Sequence, residues 1–157
     1  ESFNDSEIDY VINNAVIPYA KSIQPDLLII QAGADMLNGD PQSRISLSNN
    51  AYWGAIKDIL LLCESSIILG GGGYNPYLTA KAWAGNWVLL NNRDDLLDSD
   101  MPEECSNLLA SLQWNNSRVR MGIPNQWLKS WRDHNVKTIV GAEVISLVKN
   151  VLSMKSL

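Results

Sequence analysis

The run Ile67-Ile68-Leu69 leads straight into four consecutive glycines, Gly70 to Gly73, and then into Tyr74-Asn75-Pro76. A short apolar run bounded by glycine reads as a buried parallel strand. Asn75 and Pro76 read as the N-cap and first position of a helix. The glycines strip every Cβ from the strand's carboxyl end, so backbone can approach a ligand closely. Tyr74 is the one side chain left there with a hydroxyl to offer. Open α/β sheets keep their sites at the carboxyl ends of their strands, so this junction is the first place to look for chemistry.

The rest of the chain supplies a matching context. Ile8, Val11, Ile12, Ala15, Val16, Tyr19, Ala20 and Ile23 describe one helical face, opened by a capping box of Asn4 and Glu7 and kinked or divided by Pro18. Gln24-Pro25-Asp26 turns into a second apolar strand, Leu27 to Ile30, which ends at Gln31-Ala32-Gly33-Ala34-Asp35 and a polar loop through Gly39-Asp40-Pro41. Ser48 to Asn50 offer N-caps for a helix with Ala51, Ala55, Ile56, Ile59 and Leu60 inward. A third helix carries Ala80, Trp83, Ala84 and Trp87. Helix, strand, helix, strand, helix with two apolar strands is the pattern of a parallel α/β sheet with crossover helices. Both strands read as buried on two faces. Beyond Leu90 the pattern weakens to a loop over 91–100 and helices over 102–114, 124–131 and 140–152. Two strands leave two open edges. Further strands are expected from the tail, or another chain or copy to cover the edges.

At 157 residues the chain reads as a single domain, 1–157. Its charge balance, 12 − 17 = −5 without a basic stripe, argues against nucleic acid and anionic membrane as partners. Cys63 and Cys105 have no metal-ligand spacing and read as reduced thiols. With no secretory signal and no apolar stretch of about 18 residues, a soluble cytoplasmic protein is the default. The chain opens on Glu1 instead of Met, and further sequence is expected upstream.

Several side chains are candidates for function. Asp35, just past a buried strand, could ligate a metal, act as a base or cap the following turn, and capping is the commoner role. Asp40 before Pro41 reads as a turn residue. The glycine loop lacks the Lys, and the spaced third Gly, of a phosphate cradle. His134, the single histidine, lies in a polar stretch and reads as a surface residue; one His cannot build a multi-histidine site. Trp83 and Trp87 share an i, i+4 face, which suits core or interface better than substrate stacking.

Together Gln31-Ala32-Gly33-Ala34-Asp35, Gly39-Asp40-Pro41 and Leu69-Gly70-Gly71-Gly72-Gly73-Tyr74 resemble the histone deacetylase superfamily. Ser48-Asn49-Asn50-Ala51 and Ala82-Trp83-Ala84 bring it nearest the bacterial acetoin-utilisation type. The likeness runs from about Asn4 to Asn91. It implies a partial arginase/deacetylase-like parallel sheet with flanking helices, and a zinc-dependent hydrolase of acetylated amines, either acetyl-lysine or a small acetylated amine. It also implies roles: Asp35 as a carboxylate ligand of the metal, Tyr74 as the donor to the amide carbonyl oxygen, and Gly72 as backbone beside the acetyl group. The family's paired histidines and its Asp-x-His strand end belong to an N-terminal half that this sequence lacks. The resemblance thus implies a C-terminal half that is inactive alone and either self-associates or pairs with a separate N-terminal half. The alternative is a non-catalytic remnant acting as an interaction or oligomerisation module.

Overall fold

The capping box forms as the sequence suggests: Asn4 accepts from the Ser6 and Glu7 amides at 3.0 and 3.3 Å, and Glu7 Oε2 accepts from the Asn4 amide at 3.2 Å. From it runs a helix in two parts, α1 (Asp5–Val11) and α2 (Ile17–Ile23), joined by a π-helical turn over Ile12–Val16. Pro18 has no N–H to give, and the wide turn just before it absorbs that loss, so the helix continues instead of breaking. The computed structural model describes residues 2–133 and 138–153, and these carry β1 (Leu28–Gln31), α3 (Asn49–Leu60), β2 (Ser66–Leu69) and α4 (Pro76–Leu90) next. Short helices α5 (Glu103–Ala110) and α6 (Asn125–Leu128), with 3-10 turns at Asp94–Asp98 and Ser117–Val119, lead to α7 (Ala142–Ser153). His134 lies outside the described residues.

Strands β1 and β2 pair in parallel, Leu28 with Ser66 through Gln31 with Leu69. This is the expected α/β architecture of a small parallel sheet with flanking helices. The tail adds no strand among the described residues, only an isolated bridge between Asp100 and Ser130. The expectation that both strands are buried on two faces is corrected. Ile30 and Ile68 pack on the core, whereas Ile29, Ile67 and Leu69 on the other face are 63%, 46% and 48% exposed. The described helices gather over one side of the sheet and leave the other bare.

The core is built around α3 and α4. Tyr52, Trp53 and Ile56 of α3 meet Tyr77, Leu78 and Ala82 of α4, and the tail adds Leu97, Met101, Leu109 and Trp127. Of the residues expected inward on α3, Ile56 is buried; Tyr52 and Trp53 take the centre in place of the alanines. Of the two readings of Trp83 and Trp87, core or interface, the core one is corrected. Trp83 and Trp87 point outward, while Leu78, Lys81, Ala82, Gly85 and Asn86 are buried. The reason is steric. A Cβ on Gly85 would lie 2.1 Å from Cζ2 of Trp53, so the indole fills a groove that only small residues on α4 leave open. Trp53 Nε1 donates to the Ala82 carbonyl at 3.1 Å and completes the lock.

The tail is tied back by polar contacts. Lys81, 1% exposed, donates to the Gln126 carbonyl and to Asp133, which also accepts from the Asn49 amide. Burial pulls the Lys81 ammonium below its ordinary range, against the charge and hydrogen bond of Asp133. At the other end, buried Asp5 accepts from the amide and hydroxyl of Ser48, and Glu7 accepts from the Gly141 amide. Cys63 and Cys105 are free, half-buried thiols. No helix among the described residues is long and apolar enough to cross a membrane.

Candidate active site

The two strand ends meet main chain to main chain. Beyond the sheet register, the Ala32 amide donates to the Leu69 carbonyl at 2.9 Å and the Ala34 amide to the Gly72 carbonyl at 2.7 Å. A Cβ on Gly71 would fall 2.8 Å from the Cα of Gly33, which explains why glycine stands in both loops. This close approach makes one surface out of segments far apart in sequence.

Asp35 sits at its centre. The residue is half-buried, and its carboxylate lies directly over Gly72, where an added Cβ would come within 2.2 Å of Oδ2. Asp35 and Gly72 are thus brought together. Tyr74 follows on the same loop, 46% exposed, after Gly73 at a φ of +150°. Asn75 caps α4 by accepting from the Tyr77 and Leu78 amides, with Pro76 in the first turn, so helix entry positions Tyr74.

Asp40 does form the turn expected of it, accepting from the Gln42 amide at 2.9 Å. Its second oxygen does something no local pattern signals: it accepts from the Tyr74 amide at 2.7 Å, with the side chain 2% exposed. Tyr52 is the other residue that sequence reasoning missed. Its hydroxyl donates to the Ala32 carbonyl at 3.0 Å and accepts from Asn86 Nδ2 at 3.0 Å, bracing the strand end from beneath. Burial raises its pKa, the Asn86 bond opposes that, and the negative charge of Asp35 adds to the rise. The only advance signal was a polar atom on an otherwise apolar helix face.

Among the described residues no three His, Cys, Asp or Glu side chains gather to hold a metal, at Asp35 or elsewhere. Trp83 flanks the loop, its ring 3.5 Å from where a Cβ on Gly70 would be. Chemically the surface offers one carboxylate, one exposed phenol and a glycine wall with no side chains in the way.

Residues 1–90 match the family model of the histone deacetylase domain. The chain is 30% identical over 82 residues to histone deacetylase 8 of Xenopus laevis, covering 52% of this chain and 25% of that protein. It is 21% identical over 155 residues to histone deacetylase 9 of Arabidopsis thaliana, covering 96% of this chain and 33% of that one. The crystal structure of an HDAC homolog from Aquifex aeolicus superposes with a TM-score of 0.81 at 24% identity, over 96% of this chain and 40% of the other. The chain therefore spans a quarter to two-fifths of the length of these relatives, and over 96% of its own length it shares the fold of the Aquifex protein. The glycine-walled strand ends and the matched stretch coincide, and on both counts this chain belongs to the histone deacetylase family.

Proposed function

We propose that this chain is the C-terminal portion of a zinc-dependent, deacetylase-like hydrolase of acetylated amines, of the acetoin-utilisation type. In it Asp35 is one ligand of the metal, Tyr74 hydrogen-bonds the amide carbonyl oxygen and Gly72 walls the acetyl group. The observation that carries this reading is the seat of Asp35: its carboxylate lies over Gly72, on strand ends braced by the Ala34–Gly72 hydrogen bond. Ligand, acyl wall and phenol-bearing loop form one unit. A phenol there can donate to a carbonyl oxygen as it gains negative charge, and one well-aimed donor contributes about 2.7–4 kcal/mol to the transition state. The missing Cβ of Gly72 is what gives the Asp35 carboxylate its seat beside the proposed acyl position.

Catalytic zinc takes three protein ligands. Asp35 alone does not fit it, and the roles of Tyr74 and Gly72 stand without it. In this reading the other ligands and the proton-transferring histidines come from outside the described residues, and the chain by itself is inactive. The test is zinc content with hydrolysis of a fluorogenic acetyl-lysine peptide. The chain alone is expected to hold no stoichiometric zinc. When assembled with a segment bearing His-His and Asp-x-His it should gain about one zinc and activity. Asp35→Ala should lose the metal, and Tyr74→Phe should keep it while the rate falls about 10²–10³-fold. Zinc binding indifferent to Asp35 would overturn the assignment.

The same reading gives the bare side of the sheet a partner: a separate N-terminal half or, without it, a second copy of this chain. Parallel sheets are covered on both faces, and here Ile29, Ile67 and Leu69 are exposed with a free edge on each strand among the described residues. A non-catalytic module would use the same surface, and zinc content on assembly separates the two.

A further inference from the structure

No hydrogen bond to the Tyr74 phenol is formed among the described residues, so the hydrogen bonds that fix its place are those of the main chain that carries it. That main chain is held from one place. Asp40 Oδ2 accepts the Tyr74 amide at 2.7 Å, while Asn75 Nδ2 reaches the other way to the Gly39 carbonyl at 3.1 Å. Two opposed bonds therefore join Gly39-Asp40 to Tyr74-Asn75, across 34 residues of sequence. Asp40 is 2% exposed and Asn75 fully buried, so water does not compete for either. A carboxylate accepting from a main-chain amide forms a charge-assisted bond, roughly twice as strong as a neutral one.

The Asp40 strap is itself supported by the tail. Arg118 Nη2 donates to the Asp40 carbonyl at 3.0 Å, from a 3-10 turn capped by Asn116. On the strap's other side, a Cβ on Gly39 would be 3.0 Å from the Trp127 ring, and Gly39 adopts a φ of +110°, which suits glycine alone. Arg118 and Trp127 both lie in the stretch after residue 90, to which the sequence assigned no role.

We propose that Asp40 is a positioning residue for Tyr74, with Arg118 as its support, so that the tail fixes the main chain that carries the site's phenol. What that positioning serves rests on the functional reading above; the positioning itself does not.

The test uses the chain as it is, labelled with ¹⁵N-tyrosine, which gives five amide signals at most. Loss of one signal in Tyr74→Phe identifies Tyr74. In Asp40→Asn, solvent exchange of the Tyr74 amide should rise about tenfold and its proton should move upfield, while the Tyr52 and Tyr77 amides hold. In Arg118→Ala, which removes only an exposed side chain, Tyr74 exchange should rise about threefold, and Arg118→Lys should restore part of it. If the Tyr74 amide is unmoved in both variants, or if all the tyrosine amides loosen together, the proposal is wrong. Failure of the functional reading looks different: these amide effects would persist while Tyr74→Phe left the assembled enzyme's rate unchanged.

Discussion

Gly72 and Gly85 both have no room for a methyl group, yet the two closures differ in kind. At Gly72 the obstacle is the Asp35 carboxylate, the rotatable end of a half-exposed side chain. Gly72→Ala should leave thermal stability within about 0.5 kcal/mol, because Asp35 swings aside. The assembled domain should then lose zinc affinity, as read by metal titration. At Gly85 the obstacle is the Trp53 indole, 2% exposed and hydrogen-bonded, so it has nowhere to turn. Gly85→Ala should cost about 1–3 kcal/mol in a denaturant melt. The glycine run and Tyr74 could be singled out in the sequence because a strand end and an isolated hydroxyl stand together there, whereas the roles of Asp35 and Gly72 came from the family resemblance. Gly85 could not, since its meaning depends on how near another helix comes. Tyr52 belongs with Gly85 in this respect, and it carries a pH signature. Its phenol ionises at higher pH folded than unfolded, so its contribution is full below about pH 10 and is lost as pH rises through the folded value. Lys81, depressed by burial, acts in the opposite sense up to its ordinary value of 10.5. The clean readout is therefore a difference: stability between pH 9 and 11 should fall more steeply in the parent than in Tyr52→Phe.

At the level of elements, helix and strand positions were readable and helix orientation was not. Capping residues Asn4, Ser48 and Asn75 all mark their helices, because a cap is a local hydrogen bond set by a few neighbouring residues. The face of α4 is a tertiary matter. Two tryptophans at i and i+4 suggest a buried stripe, but small residues win the interior because Trp53 must fit between α3 and α4. A lysine can then sit inside as well, given Asp133. Asp133→Ala should destabilise by about 2–3 kcal/mol, since it strands the buried Lys81 ammonium; the part-exposed carboxylate keeps the loss below that of a fully buried pair. Trp87→Gln, on the outward face of α4, should change stability by less than about 0.5 kcal/mol. Urea melts of the two variants compare the faces directly.

Across the whole molecule, the sheet is the incomplete part. A two-stranded parallel sheet has too few strands for a free-standing core, which the sequence already implied; the exposed face of Ile29, Ile67 and Leu69 now says which side is left open. Sedimentation should show concentration-dependent association of the chain alone, and Ile29→Lys with Ile67→Glu should shift it to monomer with no loss of helical signal. A parent that stays monomeric at all concentrations would argue against the partner surface. The tail was the least legible region, because its segments are short and its anchors, Trp127 on Tyr77 and Asp133 on Asn49, are contacts with distant residues. Those anchors bear on how the domain can be divided. The stretch matched by the family model stops at residue 90, yet the Tyr77 ring stacks on Trp127 at 5.7 Å and Lys81 is paired with Asp133. A fragment ending at residue 90 would uncover the middle of its own interior. The stretch that carries the glycine-walled strand ends therefore depends on the stretch after it for its own core.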